Sequence, residues 1–191
     1  MENISDPPHA LPGDFAIWVF IFAELTVFGV LFSAFAFARA AHVDLFNQSQ
    51  LALNRGLGAA NTLVLVTSSY FVARATRAIK DGRGLLCGHW LTGALGLGVV
   101  FLALKLFEFH QDYAHGITLS TNLFDMFYLS LTFFHFMHVL MGMAILAVVA
   151  YKAYAGRYGV EDHAGVETGG SYWHMVDLVW IILFALVYVI R

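Results

Sequence analysis

Cysteine is nearly missing from this chain of 191 residues. Cys87 stands alone, which excludes an intrachain disulfide and any zinc or iron–sulfur site built from cysteines of this chain. Proline is almost as scarce: Pro7, Pro8 and Pro12 all precede the first long apolar run. Charge is short as well. Asp, Glu, Lys and Arg make up 12% of the residues, roughly half the share in soluble proteins. The net charge of −3 supplies no basic field for nucleic acid. There is no phosphate loop, no G-x-S-x-G, no H-E-x-x-H and no dinucleotide fingerprint.

What is abundant is apolar. Hydrophobic residues reach 60% and the mean hydropathy is +0.73. A soluble domain of this length could bury a full core, but its surface would need more charge, so the excess faces lipid. Five apolar runs stand out: Phe15–Ala38, Leu57–Ala73, Leu85–Phe107, Phe124–Tyr151 and Tyr172–Ile190. Most reach the ~20 residues that cross a bilayer core, and the short second run is expected to begin near Leu51. Backbone groups in lipid must be satisfied within their own element, so the runs are helices. Met1 to Asp14 has no Lys or Arg and the run after it is too long for a signal peptide, so Phe15–Ala38 is expected to be a retained span.

The expected fold is all-α: one domain over residues 1–191, an integral membrane bundle of five transmembrane helices with the N-terminus inside. The loops are short, with polar His42–Asn54, basic Arg74–Gly84, His110–Asn122 without Lys or Arg, and glycine-rich, charged Lys152–Ser171. Orientation follows from the basic residues. An inner N-terminus puts Arg74, Arg77, Lys80, Arg83, Lys152 and Arg157 inside, against Arg39, Arg55 and Arg191 outside. Trp18, Trp90 and Trp173 then fall near inner span ends, as interfacial aromatics do. Gly88, Thr92 and Gly96 on the third span, and Gly56 and Ala60 on the second, have the spacing of close helix packing.

Ionisable groups inside spans are costly and carry the functional hypotheses. Glu24 lies ~16 Å past Gly13, near mid-membrane, with no basic residue within a turn. It is expected to be neutral or hydrogen-bonded to another helix, either as a proton-linked carboxyl or, the preferred reading, as a carboxyl that ties two helices together. His135 and His138 share a face of the fourth span at similar depth, yet zinc wants three or four ligands and no second pair matches them. Hydrogen bonding between helices is expected of them instead. Lys105 and Glu108 suit an interfacial ion pair whose lysine reaches for the headgroups. His174 and Asp177 are three apart near the start of the last span. Capping explains Asp125 and partly Asp177.

Four segments together resemble the subunit III family of haem–copper oxidases. TFFHFMHVLMG (Thr132 to Gly142) resembles the family signature T-x-x-H-x-x-H-V-x-x-G. SYWHMVDLVWIILFALVY (Ser171 to Tyr188) resembles its last helix, with the pattern Y-W-H-x-V-D-x-x-W. GDFAIWVFIFAELTVF (Gly13 to Phe28) is similar to the helix whose acidic residue reacts with carbodiimide, here Glu24, and FLALKLFEF (Phe101 to Phe109) matches another through Glu108. Longer family members have seven spans, and this chain looks like the form without the first two. NRGLGAANTLVLVTSSYFVARA, LSTNLFDMFY and the ending in Arg191 further resemble the subunit-III-like protein encoded with bacterial nitric oxide reductase.

The resemblance implies a multi-pass protein of the bacterial inner membrane with no catalytic residues and no cofactor of its own. Haem, with copper or non-haem iron, belongs to the partner, the catalytic subunit of an oxidase or nitric oxide reductase. The implied role is to support that partner's stability and proton uptake in aerobic electron transport or in denitrification, among membrane lipids. The missing helices form one wall of the family's lipid cleft, so its lipid ligands are not carried over. Two other classes compete. A stand-alone haem-binding electron carrier needs paired histidines on facing helices, and a proton-coupled transporter built on Glu24 and the two histidines lacks a repeat or broken helix.

Overall fold

The computed structural model describes residues 15–190. The prolines, the head of the Gly13–Phe28 segment and Arg191 lie outside the described residues. Long helices α1 (Phe15–Ala41), α3 (Arg55–Lys80), α4 (Gly84–Ala114), α5 (Leu123–Tyr154) and α6 (Ala164–Phe184) account for the five spans. Each is long and apolar enough to cross a membrane, the last with a π-helical turn over Ala185–Val189 included. No strand occurs among the described residues.

Two expectations about the first loop need correction. His42–Asn54 is not a loop but contains α2 (Val43–Ala52), and Leu51 belongs to α2, so the second span starts at Arg55. Asn54 sets that start, because its side chain accepts from the backbone N–H of Leu57 at 3.1 Å. Asn122 caps α5 in the same way on Asp125, which occupies the first turn as expected. α2 is amphipathic rather than spanning. Phe46 is fully buried between Phe35 of α1 (5.3 Å between rings) and Phe124 of α5 (5.4 Å).

α3, α4, α5 and α6 pack around a shared core, and α1 leans on α5 and α6. α6 is the most buried span and α1 the most exposed. Trp173 and Trp180 of α6 are both fully buried, so Trp173 fills the core and is no interfacial anchor. α6 also begins earlier than the apolar run suggests. Starting at Ala164, it carries His174 and Asp177 in its third and fourth turns, too deep for an N-terminal cap.

The close approaches differ from the expected glycine stripe. Gly96 faces open space, whereas a methyl group on Gly142 would sit 2.9 Å from the Trp173 ring. Close packing between helices replaces hydrophobic driving force in lipid, so such a contact is worth more than its size. Gly142→Ala is expected to cost about 1–3 kcal/mol in detergent unfolding titrations. Gly96→Ala, with no neighbour to displace, is expected to be neutral or to gain up to about 1 kcal/mol.

Candidate functional site

The sequence-predicted polar residues gather at three helix seams. At the first, between α1 and α5, His138 Nδ1 donates to the Phe134 carbonyl at 2.8 Å. A carbonyl only accepts, so this bond fixes the proton on Nδ1 and leaves Nε2 for Glu24 Oε2 at 2.9 Å. One proton lies between the two side chains, whether it is drawn on the carboxyl or on the ring. Phe28 and Phe134 pack edge-on against the imidazole. Glu24 is not wholly enclosed: its side chain keeps 19% of its surface, against 9% for His138. His135 takes no part in this pair. Its Nε2 donates to the Val176 carbonyl of α6 at 3.0 Å, and its ring lies between Phe101 and Trp180.

At the second seam, α4 turns Phe101, Lys105, Glu108 and Asp112 onto one face at helical spacing. Lys105 does not snorkel to the interface as expected. It is fully buried, because this face points between α5 and α6, where two tyrosines meet it. Lys105 Nζ donates to Glu108 Oε2 at 2.9 Å and to the Tyr188 hydroxyl at 3.1 Å. It also lies 5.1 Å from the centre of the Phe109 ring and 5.4 Å from that of Trp180, within cation–π range. Tyr188 donates to Glu108 Oε1 at 2.7 Å. The Tyr128 hydroxyl stands 3.1 Å from Glu108 Oε1 and 2.9 Å from Asp112 Oδ2. It has a single proton for two carboxyls, so Glu108 and Asp112 compete for it. Asp112, Tyr128 and Tyr188 were missed in the sequence, although the Lys105–Glu108–Asp112 spacing was there to be read.

At the third seam, between α3 and α6, Ser69 Oγ and His174 Nδ1 share a 2.6 Å hydrogen bond. Asp177 is buried one turn further along α6, with Oδ1 lacking a partner. Below them Lys80 pairs with Glu167 at 2.7 Å. Outside the spans, burial pushes the Tyr158 hydroxyl up, with the Asp162 charge adding to it, so this loop tyrosine keeps its proton.

No group of three or more His, Cys, Asp or Glu is placed to hold a metal ion among the described residues. A haem iron bound at Nε2 of His135 or His138 would replace the bond to Val176 or to Glu24. What these seams can do is hold helices in register and hold or pass single protons.

The second seam makes a sharp energetic test. Removing one partner of a buried ion pair leaves an uncompensated charge, so Lys105→Met is expected to cost about 3–5 kcal/mol in detergent unfolding. Adding Glu108→Gln removes that charge, and the double variant is expected to be more stable than Lys105→Met alone.

Residues 13–190 match the family model described as Cytochrome c oxidase subunit III. Cytochrome c oxidase subunit 3 of Thermostichus vulcanus is 35% identical over 175 residues, spanning 90% of this chain and 84% of the relative. Its counterpart from Synechocystis sp. is 32% identical over 178 residues, spanning 92% of this chain and 75% of that protein. Heme-copper oxidase subunit I+III of Aeropyrum pernix is 29% identical over 181 residues, which are 92% of this chain but 22% of that longer protein. Since the matched stretch takes in all five spans and all three polar seams, the chain belongs to the cytochrome c oxidase subunit III family.

Proposed function

We propose that this chain is a non-catalytic accessory subunit of a haem–copper respiratory complex in the bacterial inner membrane. It flanks the catalytic subunit, steadies it during turnover and supports its proton uptake. The observation that carries this reading is the Glu24–His138 pair, which shares one proton on a partly exposed face of the least buried helix. The proton can move between the two partners with no change in net charge, and the bond ties α1 to the bundle. The relative named Heme-copper oxidase subunit I+III carries both subunits in one chain, which fits a lasting contact between the two. Haem and copper, or non-haem iron, are then the partner's. Co-purification from native membranes with a haem-containing subunit tests this directly. The readings as a transporter or haem carrier would require flux in liposomes or a stoichiometric Soret band from the chain alone.

A nitric oxide reductase partner is the second reading. It is favoured by the resemblance of the α3 segment and of the turn LSTNLFDMFY, which holds the Asn122 cap and Tyr128. Assaying the co-purified complex for oxygen and for nitric oxide consumption separates the two readings.

Two predictions follow from the paired proton and the charged turns. Glu24→Gln keeps a hydrogen bond to His138, whereas Glu24→Ala strands a buried ring nitrogen. Retention of the subunit in the complex is expected to fall with Ala by about 1–2 kcal/mol more than with Gln. If Gln instead slows turnover as much as Ala while assembly stays intact, the carboxyl works by handling protons rather than by holding helices. For topology, the basic turns at Arg74–Arg83 and Lys152–Arg157 are expected in the cytoplasm and the C-terminus in the periplasm. A periplasm-dependent reporter fused after Arg191 is expected to be active, and activity only of a cytoplasmic reporter there would reverse the assignment.

A further inference from the structure

The inner turn between α3 and α4 carries three arginines and one aspartate, an excess of positive charge. Arg74, Arg77 and Arg83 line a cavity of about 140 Å³, together with Asp81, Leu86 and Trp90. Among the described residues no ion pair joins any of the three arginines to a carboxylate, Asp81 in the same wall included. Lys80, on the same turn of chain, is by contrast paired with Glu167. The arginines are also partly organised in advance. Arg74 Nη1 donates to the Tyr70 hydroxyl at 3.1 Å, and its guanidinium lies 5.2 Å from the centre of the Trp90 ring. The Trp90 indole N–H is buried with no acceptor.

The surroundings choose the kind of anion. The cavity sits where α3 ends and α4 begins, at the shared end of two spans. Beside the arginines, Leu85, Leu86 and Tyr70 are exposed, at 67%, 38% and 53%, and form an apolar flank along the spans. A free anion has no use for that flank, whereas a lipid phosphate brings acyl chains to cover it. Guanidinium forks match phosphate oxygens, and basic pockets between transmembrane helices on the inner side suit anionic headgroups. We propose that the Arg74–Arg77–Arg83 cavity binds the phosphate of an anionic phospholipid, with the acyl chains lying along Leu85, Leu86 and Tyr70.

The test uses the full chain in dodecyl maltoside micelles, titrated with phosphatidylglycerol or with phosphatidylcholine and read by native mass spectrometry of bound lipid. Phosphatidylglycerol is expected to be retained at least about tenfold better than phosphatidylcholine. The preference is expected to vanish in Arg77→Gln/Arg83→Gln, two exposed positions whose substitution leaves the bundle intact, and to survive in Arg157→Gln on the other inner loop. Millimolar inorganic phosphate is expected not to displace the lipid. Equal retention of both lipids, or a preference that persists in the double variant, overturns the proposal. Displacement by inorganic phosphate also overturns it, because the cavity would then be a site for a free anion.

Discussion

A polar side chain at membrane depth needs a partner: Thr26, Ser33 and Thr67 find theirs on their own helix, whereas Glu24, Lys105 and His174 reach across to a neighbour. Helical backbone satisfies itself, so in lipid the only polar groups left to be matched belong to side chains and helix ends. Each seam is marked by such a match: Glu24 with His138 between α1 and α5, Lys105 and Glu108 of α4 with Tyr188 in the π-helical turn after α6, and Ser69 with His174 between α3 and α6. The ends obey the same rule. The π-helical turn and chain end after α6 leave carbonyls free, and Gln50 of α2 donates to those of Leu186 and Val187 while Arg39 of α1 donates to that of Ile190. α2 therefore has a task that its length alone does not suggest: it brings a buried amide to the end of the last span.

The same constraint explains what could be read from the sequence and what could not. Five spans follow from hydropathy, since a lipid-facing run declares itself residue by residue. α2 does not declare itself, because its apolar residues are few and its helix is held by Phe46 reaching Phe35 and Phe124, neither of them close in sequence. Glu24 and the two histidines were legible as costly residues at one depth. Which histidine takes the carboxyl depends on helix rotation, which composition does not encode. Lys105 was misjudged for a physical reason. A lysine near a span end has two ways to escape lipid, outward to the headgroups or inward to a carboxylate and aromatic rings. The choice rests on Tyr128 and Tyr188, twenty-three and eighty-three positions away. His174 and Asp177 were placed too shallow because the polar start of α6, Ala164 to Ser171, does not look like membrane helix although it is helix.

The glycines show how packing refines what polarity begins. Spacing alone picked out Gly88 and Gly96, yet the two behave differently: Gly88 lies against the Tyr154 ring and Gly96 lies against nothing. A small residue has meaning only opposite a large one, and Gly142 opposite Trp173 is such a case. The largest side chains of the core, Trp173 and Trp180, both sit on α6. That helix is the post around which the others are fitted, with Gly142 of α5 against Trp173 and Ser69 of α3 against His174.

α1 is the exception to this tight fitting, and the exception bears on function. It is the span least enclosed by the others, so few contacts fix its rotation and height. Phenylalanine packing, at Phe28 with Phe134 and at Phe35 with Phe46, is tolerant of small shifts. The Glu24–His138 bond is not tolerant: it is directional, it lies at the middle of the span, and its ring is oriented by the Phe134 carbonyl. The register of α1 is therefore held by two directional contacts, Glu24 with His138 and Arg39 with the Ile190 carbonyl. A change in the position of the proton between Glu24 and His138 alters the charge on both partners at once, and the element whose hold depends on them is the one most open to a neighbouring subunit.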